Sequence, residues 1–95
     1  MDRERLVSEL EANFGGTATI RRAVSRQAQD LADSGQIETD MQYRLTADAV
    51  VANLADAPEE YTLVERWNWW MGSLDLAFGE YHHFHVRPDL EDTRH

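Results

Sequence analysis

Apolar residues recur at helical spacing from the start of the chain. Leu6, Leu10 and Phe14 follow one another at four-residue intervals, and Gly15 comes directly after them. Apolar residues at this interval line one face of a helix, and glycine is the residue that most readily takes the left-handed conformation that ends one. Residues 2–13 are therefore predicted to form an amphipathic helix.

A second helix is predicted between Thr17 and Gly35. Thr17 or Thr19 can cap its N-terminus, and Ser34 and Gly35 mark its end. Its inward stripe consists of Ile20, Ala23, Val24, Ala28 and Leu31. The opposite face of this helix is polar and rich in arginine.

The pattern predicts two more helices. The third opens at Thr39 or Asp40 and ends near Ala55, with an interruption at Thr46 as an alternative because threonine is a good cap. Its inward residues are Met41, Leu45, Ala49, Val50 and Leu54. The fourth begins near Asp56 or Pro58, since proline is tolerated in a first turn, and runs to Phe78 before Gly79.

The short connections between these helices predict an all-α fold, an antiparallel four-helix bundle. A chain of 95 residues is long enough for one domain with a modest core. The bundle is expected to span residues 1–87, with the segment after Gly79 either extended or in a further helical turn. Residues 88–95 are expected to form an acidic tail that frays.

The fourth helix carries all three tryptophans, in the run Trp67-Asn68-Trp69-Trp70. At about 100° per residue, one apolar stripe collects Leu63, Trp67, Trp70, Met71, Leu74, Phe78 and Tyr81. Trp69 and Leu76 point the other way, beside the small residues Gly72 and Ser73. Two interpretations follow: this second face is covered by another part of the chain, or it is a surface for self-association or a protein partner.

The charge pattern bears on the habitat of the protein. All nine basic residues are arginine, and 18 acidic residues bring the net charge to -9. Such a charge keeps a protein soluble but makes it repel itself at low salt, a property associated with halophiles. Cysteine is absent, which excludes disulfides and thiolate sites. With a charged N-terminus and no long apolar run, the chain is expected to be cytoplasmic and not bound to membranes.

Histidines near the C-terminus suggest one possible chemistry. Glu80 and His83 have the Glu-x-x-His spacing of di-iron bundles, and His85 lies close by. Such a bundle needs the motif on two helices and two further inward glutamates, which the sequence does not supply. Solvent-facing histidines are therefore the favoured interpretation, with no cofactor, and a histidine-based metal site is the third-ranked function.

Arginines on the second helix suggest nucleic acid as the alternative partner. Arg21, Arg22 and Arg26 lie on or near its outward side, but Asp30 stands four residues after Arg26 and is positioned to pair with it. The net charge of -9 opposes binding to phosphates. No serine lies in a nucleophile elbow and no glycine-rich loop fits a phosphate-binding motif, so no enzyme activity is expected.

A motif lies in the fourth helix and the segment after it, comprising Trp70, Gly72, Leu74, Asp75, Phe84 and Val86. This motif resembles that of an archaeal family of small helical proteins, domain-of-unknown-function family 357. The resemblance implies an antiparallel helical bundle in an archaeal protein and brings no catalytic residue. Together with the charge pattern, it predicts a haloarchaeal source. Together with the second face of the fourth helix, it favours a non-catalytic interaction or oligomerisation module, with a homodimer as the first expectation.

Overall fold

The computed structural model describes residues 1–87, and every regular element in that range is helical. The elements are α1 (Arg3–Phe14), α2 (Ala18–Ser34), α3 (Gln36–Met41), α4 (Ala47–Ala55), α5 (Leu63–Phe78) and a 3₁₀ turn at His82–Phe84. The all-α prediction is confirmed. The predicted acidic tail, residues 88–95, lies outside the described residues.

The first two helices follow the predicted signals. The Asp2 carboxylate accepts from the backbone N–H of Arg5 at the start of α1, and Thr17, one of the two predicted caps, accepts from Ile20 N–H at the start of α2. Gly35 ends α2 with a φ of 72°, a conformation that glycine adopts without steric cost. Local sequence therefore determines these helices.

The predicted third helix is two helices. The chain leaves α3 at Gln42, whose φ of 65° is left-handed, and α4 begins only after Thr46. The Thr46 hydroxyl accepts from Ala49 N–H at 3.1 Å. A start at Thr39 or Asp40 was wrong because Gly35 serves both helices, ending α2 and preceding α3. The alternative interruption at Thr46 is the one the molecule adopts.

The last long helix begins later than predicted. Thr62 and Glu65 form a capping box, in which each side chain accepts a hydrogen bond from the other residue's backbone N–H. This places the start of α5 at Leu63, and the prediction of a start at Asp56 or Pro58 was wrong. A reciprocal cap satisfies two backbone donors at once, which outweighs the weaker preference of Pro58 for a first turn.

The four longer helices enclose the core. α1 packs against α2 and α4, and α5 packs against the same two helices. The core comprises Leu6, Leu10, Ile20, Val24, Ala28, Leu31, Ile37, Leu45, Ala47, Val50, Leu54, Leu63, Val64, Trp67, Trp70, Met71, Leu74, Tyr81, Phe84 and Val86. Two residues expected inside are not: Met41 is 37% exposed and Phe78 46% exposed, since each lies in the last turn of its helix.

None of the helices described in residues 1–87 combines the length and apolar character needed to cross a bilayer.

The connection between α4 and α5 is fixed by a positively charged side chain, that of Arg66. The Arg66 guanidinium donates to the carbonyls of Leu54, Glu59 and Tyr61 at 3.0, 3.0 and 3.1 Å. The same guanidinium lies 4.9 Å from the centre of the Phe14 ring. Arg66 therefore ties the loop before α5 to the ends of α1 and α4.

Candidate interaction site

One face of α5 carries the predicted surface residues. Trp69, Gly72, Ser73 and Leu76 follow a spacing of three, four and seven residues from Trp69, so they form a single stripe, here called the α5 stripe. Leu76 is 92% exposed, whereas Trp69 is partly buried and packs against the core. Nothing lies within 4 Å of the position that a Cβ on Gly72 would take. The stripe is therefore anchored at Trp69 and open from Gly72 onward.

The other aromatic residues of the run are in the core. Trp67 is fully buried and Trp70 is 4% exposed, and their rings meet edge to face with centroids 5.4 Å apart. Aromatic pairs favour this arrangement because the positive ring edge meets the negative ring face. The helical periodicity of the sequence predicted both residues correctly as core.

The residues after α5 fold back over the helix and are held by two neighbouring side chains. Trp67 donates its Nε1–H to the carbonyl of Phe84 at 2.8 Å. The Asn68 side chain donates to the carbonyl of Val86 and accepts from its N–H, both at 2.8 Å. The side-chain amide of Asn68 thus pairs with both backbone polar groups of Val86. Trp67 and Asn68 form a clamp on the exit segment, residues 79–87.

The start of the exit segment is fixed by a carboxylate and a phenol. Asp75 accepts from the backbone N–H of Tyr81 at 3.0 Å, and this hydrogen bond, helped by nearby His82, holds the pKa of the Asp75 carboxyl below its usual value. Tyr81 is buried and donates its hydroxyl to Asp40 at 2.6 Å. Burial and that bond raise the pKa of Tyr81 well above its ordinary value, so Tyr81 remains a donor.

The six residues of the motif that resembles family 357 lie in three different environments. Four of them are buried in the core: Trp70, Leu74, Phe84 and Val86. Asp75 begins the exit segment, and Gly72 lies in the α5 stripe. Periodicity did not reveal the role of Asn68, whose partner is 18 residues away. A polar amide within an aromatic run was the signal available in the sequence, but it did not identify the partner.

Replacing Asn68 with alanine is expected to lower the free energy of unfolding by about 1–2 kcal/mol, because the backbone N–H and the carbonyl of Val86 both lose their partner. Urea unfolding measures the loss, and faster hydrogen exchange at the Val86 amide should accompany it. Asn13→Ala is the matched control, since Asn13 is exposed and bonds only within its own helix. Equal losses in both variants would contradict the clamp.

The histidines of the exit segment are exposed. His83 stacks on Phe84 with ring centroids 4.1 Å apart, and His85 Nδ1 lies 2.9 Å from the carbonyl of His82. Glu80 is also exposed, and its carbonyl accepts from the Gln36 amide. Within residues 1–87, no three histidine, aspartate or glutamate side chains are close enough to hold a metal ion together.

The three arginines singled out on α2 separate into two kinds. Arg21 donates to the carbonyl of Gly16 and lies 3.7 Å from the Glu11 carboxylate, so it fixes the turn between α1 and α2. Arg22 and Arg26 are exposed, and no residue that the structure describes forms an ion pair with either. The expected pairing of Arg26 with Asp30 does not form.

Comparison with known proteins gives a match to a family model. No curated protein and no solved structure matches the chain at a significant level. The model of the WNWW domain matches residues 1–75, which include the Trp-Asn-Trp-Trp run at 67–70 and end before the exit segment. The expectation of a small-domain family is therefore confirmed, although the family that matches is not the one suggested by the motif. The chain belongs to the WNWW domain family.

Proposed function

We propose that this chain is a non-catalytic helical interaction domain that self-associates through the α5 stripe. The observation that carries the proposal is Leu76, a large apolar side chain that is 92% exposed in the last turn of α5. Its exposure forgoes about 1.5–3 kcal/mol that burial would contribute. A contact that covers Leu76 recovers part of this energy.

A second copy of the chain is the occupant that fits the stripe. Trp69 lies three residues before Gly72 and Leu76 lies four residues after it. If two α5 helices cross in opposite directions at Gly72, Leu76 of each copy lies beside Trp69 of the other. A surface that complements itself in this way suits a twofold dimer. The glycine and Ser73 allow the two backbones to approach closely.

Charge makes this association dependent on salt. Each copy carries a net charge of -9, so two copies repel each other in dilute buffer. At about 1 M salt the screening length falls to about 3 Å, which removes most of the repulsion between exposed charges. The proposal therefore includes a halophilic archaeal cytoplasm as the working environment, supported by nine arginines without a lysine.

Light scattering or sedimentation velocity at about 0.1 M and about 2 M KCl tests the dimer. The parent protein is expected to be largely monomeric at low salt and dimeric at high salt, while Leu76→Glu stays monomeric in both. Ala52→Glu is the matched control, because it adds the same charge at an exposed position on α4. A parent that is monomeric at every salt concentration, or a Leu76→Glu variant that dimerises like Ala52→Glu, would overturn the proposal.

The proposal also includes the direction of the helices and a relation to a second family. The four longer helices are proposed to run as an antiparallel bundle, supported by the packing of α1 and α5 each against both α2 and α4. A distant relation to family 357 is proposed from the shared positions in and after α5, among them Asp75 and Val86. Both describe the scaffold that presents the α5 stripe.

A further inference from the structure

A cavity of about 200 Å³ lies between α1 and α2, away from the α5 stripe. It is lined by Arg3, Glu4, Val7, Arg22, Ser25 and Arg26. The residues from α1 belong to its first turns, and Arg22, Ser25 and Arg26 share one face of α2 because they are three and four residues apart. The cavity therefore brings three guanidinium groups and one hydroxyl to the same place.

The three arginines of this cavity lack partners of the kind that fix Arg5, Arg21 and Arg66. Arg5 pairs with Asp48 at 2.7 Å, whereas none of Arg3, Arg22 and Arg26 has an ion pair or a side-chain hydrogen bond within residues 1–87. Among the described residues, Glu4 is the one carboxylate that lines the cavity. Three positive charges face one negative charge, so these lining residues keep an excess of positive charge in a chain whose acidic residues outnumber its arginines two to one.

Ser25 supplies an independent indication of a ligand. Its side chain is fully buried, and its hydroxyl has no hydrogen-bond partner. A serine inside a helix ordinarily bonds to the carbonyl four residues earlier, and buried polar groups are rarely left without a partner. Ser25 lines the cavity beside Arg22 and Arg26, so its hydroxyl would gain the missing partner by turning toward an acceptor bound there.

We propose that this cavity is a binding site for a small phosphate-type oxyanion, with Arg22 and Arg26 binding its oxygens, Arg3 closing the site from α1 and Ser25 donating a hydrogen bond. A phosphate group offers several acceptor oxygens to the arginine and serine donors of the cavity. Guanidinium groups bind such oxygens through paired N–H donors, which makes arginine suited to phosphate. The site is independent of the α5 stripe, and its groups gather around one pocket of about 200 Å³ that is open to solvent.

Inorganic phosphate is the first probe, added to the full chain against chloride at matched ionic strength. Phosphate is expected to shift the amide NMR signals of α1 and α2 around the cavity in a saturable way and to raise the melting temperature. Arg22→Gln combined with Arg26→Gln should weaken phosphate binding by at least about tenfold. Arg44→Gln is the matched control: Arg44 is exposed, has no ion pair with a described residue and does not line this cavity.

Ser25→Ala gives a second readout that a purely structural serine would not give. Without phosphate the variant should melt at the same temperature as the parent or higher, because a buried hydroxyl without a partner has been removed. With phosphate it should gain less stability than the parent. A variant that melts lower without phosphate yet binds phosphate as tightly as the parent would overturn the assignment of Ser25.

Two further probes distinguish the source of the phosphate group. Glycerol phosphate represents a phosphomonoester, and tighter binding of glycerol phosphate than of inorganic phosphate would support the site and identify its ligand as an ester. A short DNA duplex represents a nucleic-acid backbone. The proposal is overturned if the duplex binds and neither small anion does, or if the signals shift equally in the parent and in the double arginine variant.

Discussion

Replacing Trp67 with alanine is expected to lower the free energy of unfolding by about 3–5 kcal/mol, a large share of the stability of a domain this size. Trp67 is fully buried, its ring packs edge to face on Trp70, and its Nε1–H donates to the carbonyl of Phe84. Alanine leaves a cavity the size of an indole and a buried carbonyl without its donor. Urea unfolding followed by circular dichroism measures the change without relying on tryptophan fluorescence.

Two comparison variants separate the contributions to that loss. Trp67→Phe keeps an aromatic ring but removes the donor, and it is expected to lose about 1–3 kcal/mol. Trp69→Ala is the matched control, because it removes the same side chain two positions later from a partly buried site. A loss for Trp69→Ala as large as that for Trp67→Ala would contradict the division of the run into core and surface residues.

Replacing Arg66 with methionine is expected to lower the free energy of unfolding by about 2–4 kcal/mol. Methionine retains much of the apolar length of the side chain but leaves the carbonyls of Leu54, Glu59 and Tyr61 without their donor. It also removes the cation from above the Phe14 ring. Urea unfolding gives the total loss, and hydrogen exchange should show faster opening of the loop between α4 and α5 than of α2.

Arg44→Met is the control for this change. Arg44 is exposed and has no ion pair with a described residue, so its replacement should alter stability by no more than about 0.5 kcal/mol. Arg66→Lys tests the geometry, because lysine keeps the positive charge but lacks the planar donor group that reaches three carbonyls. A lysine variant as stable as the parent would show that charge alone, and not the fork of donors, fixes the loop.

The sequence predicted the elements whose signals are local. Four-residue spacing located α1, and the caps and glycines at Thr17 and Gly35 marked the ends of α2. The start of α5 lies later than predicted although the capping box is also local, because Pro58 is equally compatible with a first helical turn and comes earlier in the chain. The helical wheel separated Trp67 from Trp69, since the angle between them depends only on the helix.

The candidate sites depended on contacts that periodicity does not report. Asn68 binds Val86 across 18 positions, and Tyr81 binds Asp40 across 41. The cavity arises because Arg3 on one helix and Arg22 on the next line the same space. No spacing rule within a single helix identifies such partners, because their proximity follows from how the helices pack.

The sequence by itself determined that the chain is helical, which residues face inward on most helices, and that Leu76 has no place in the stripe around Trp67. The tertiary structure decided that Trp69 packs on the core while Leu76 stays exposed, and that Arg22 and Arg26 line a cavity with Arg3. The physical reason is the range of the interactions. Backbone hydrogen bonds and caps act within a few residues, whereas burial and the sharing of a cavity depend on which surfaces meet after the helices assemble.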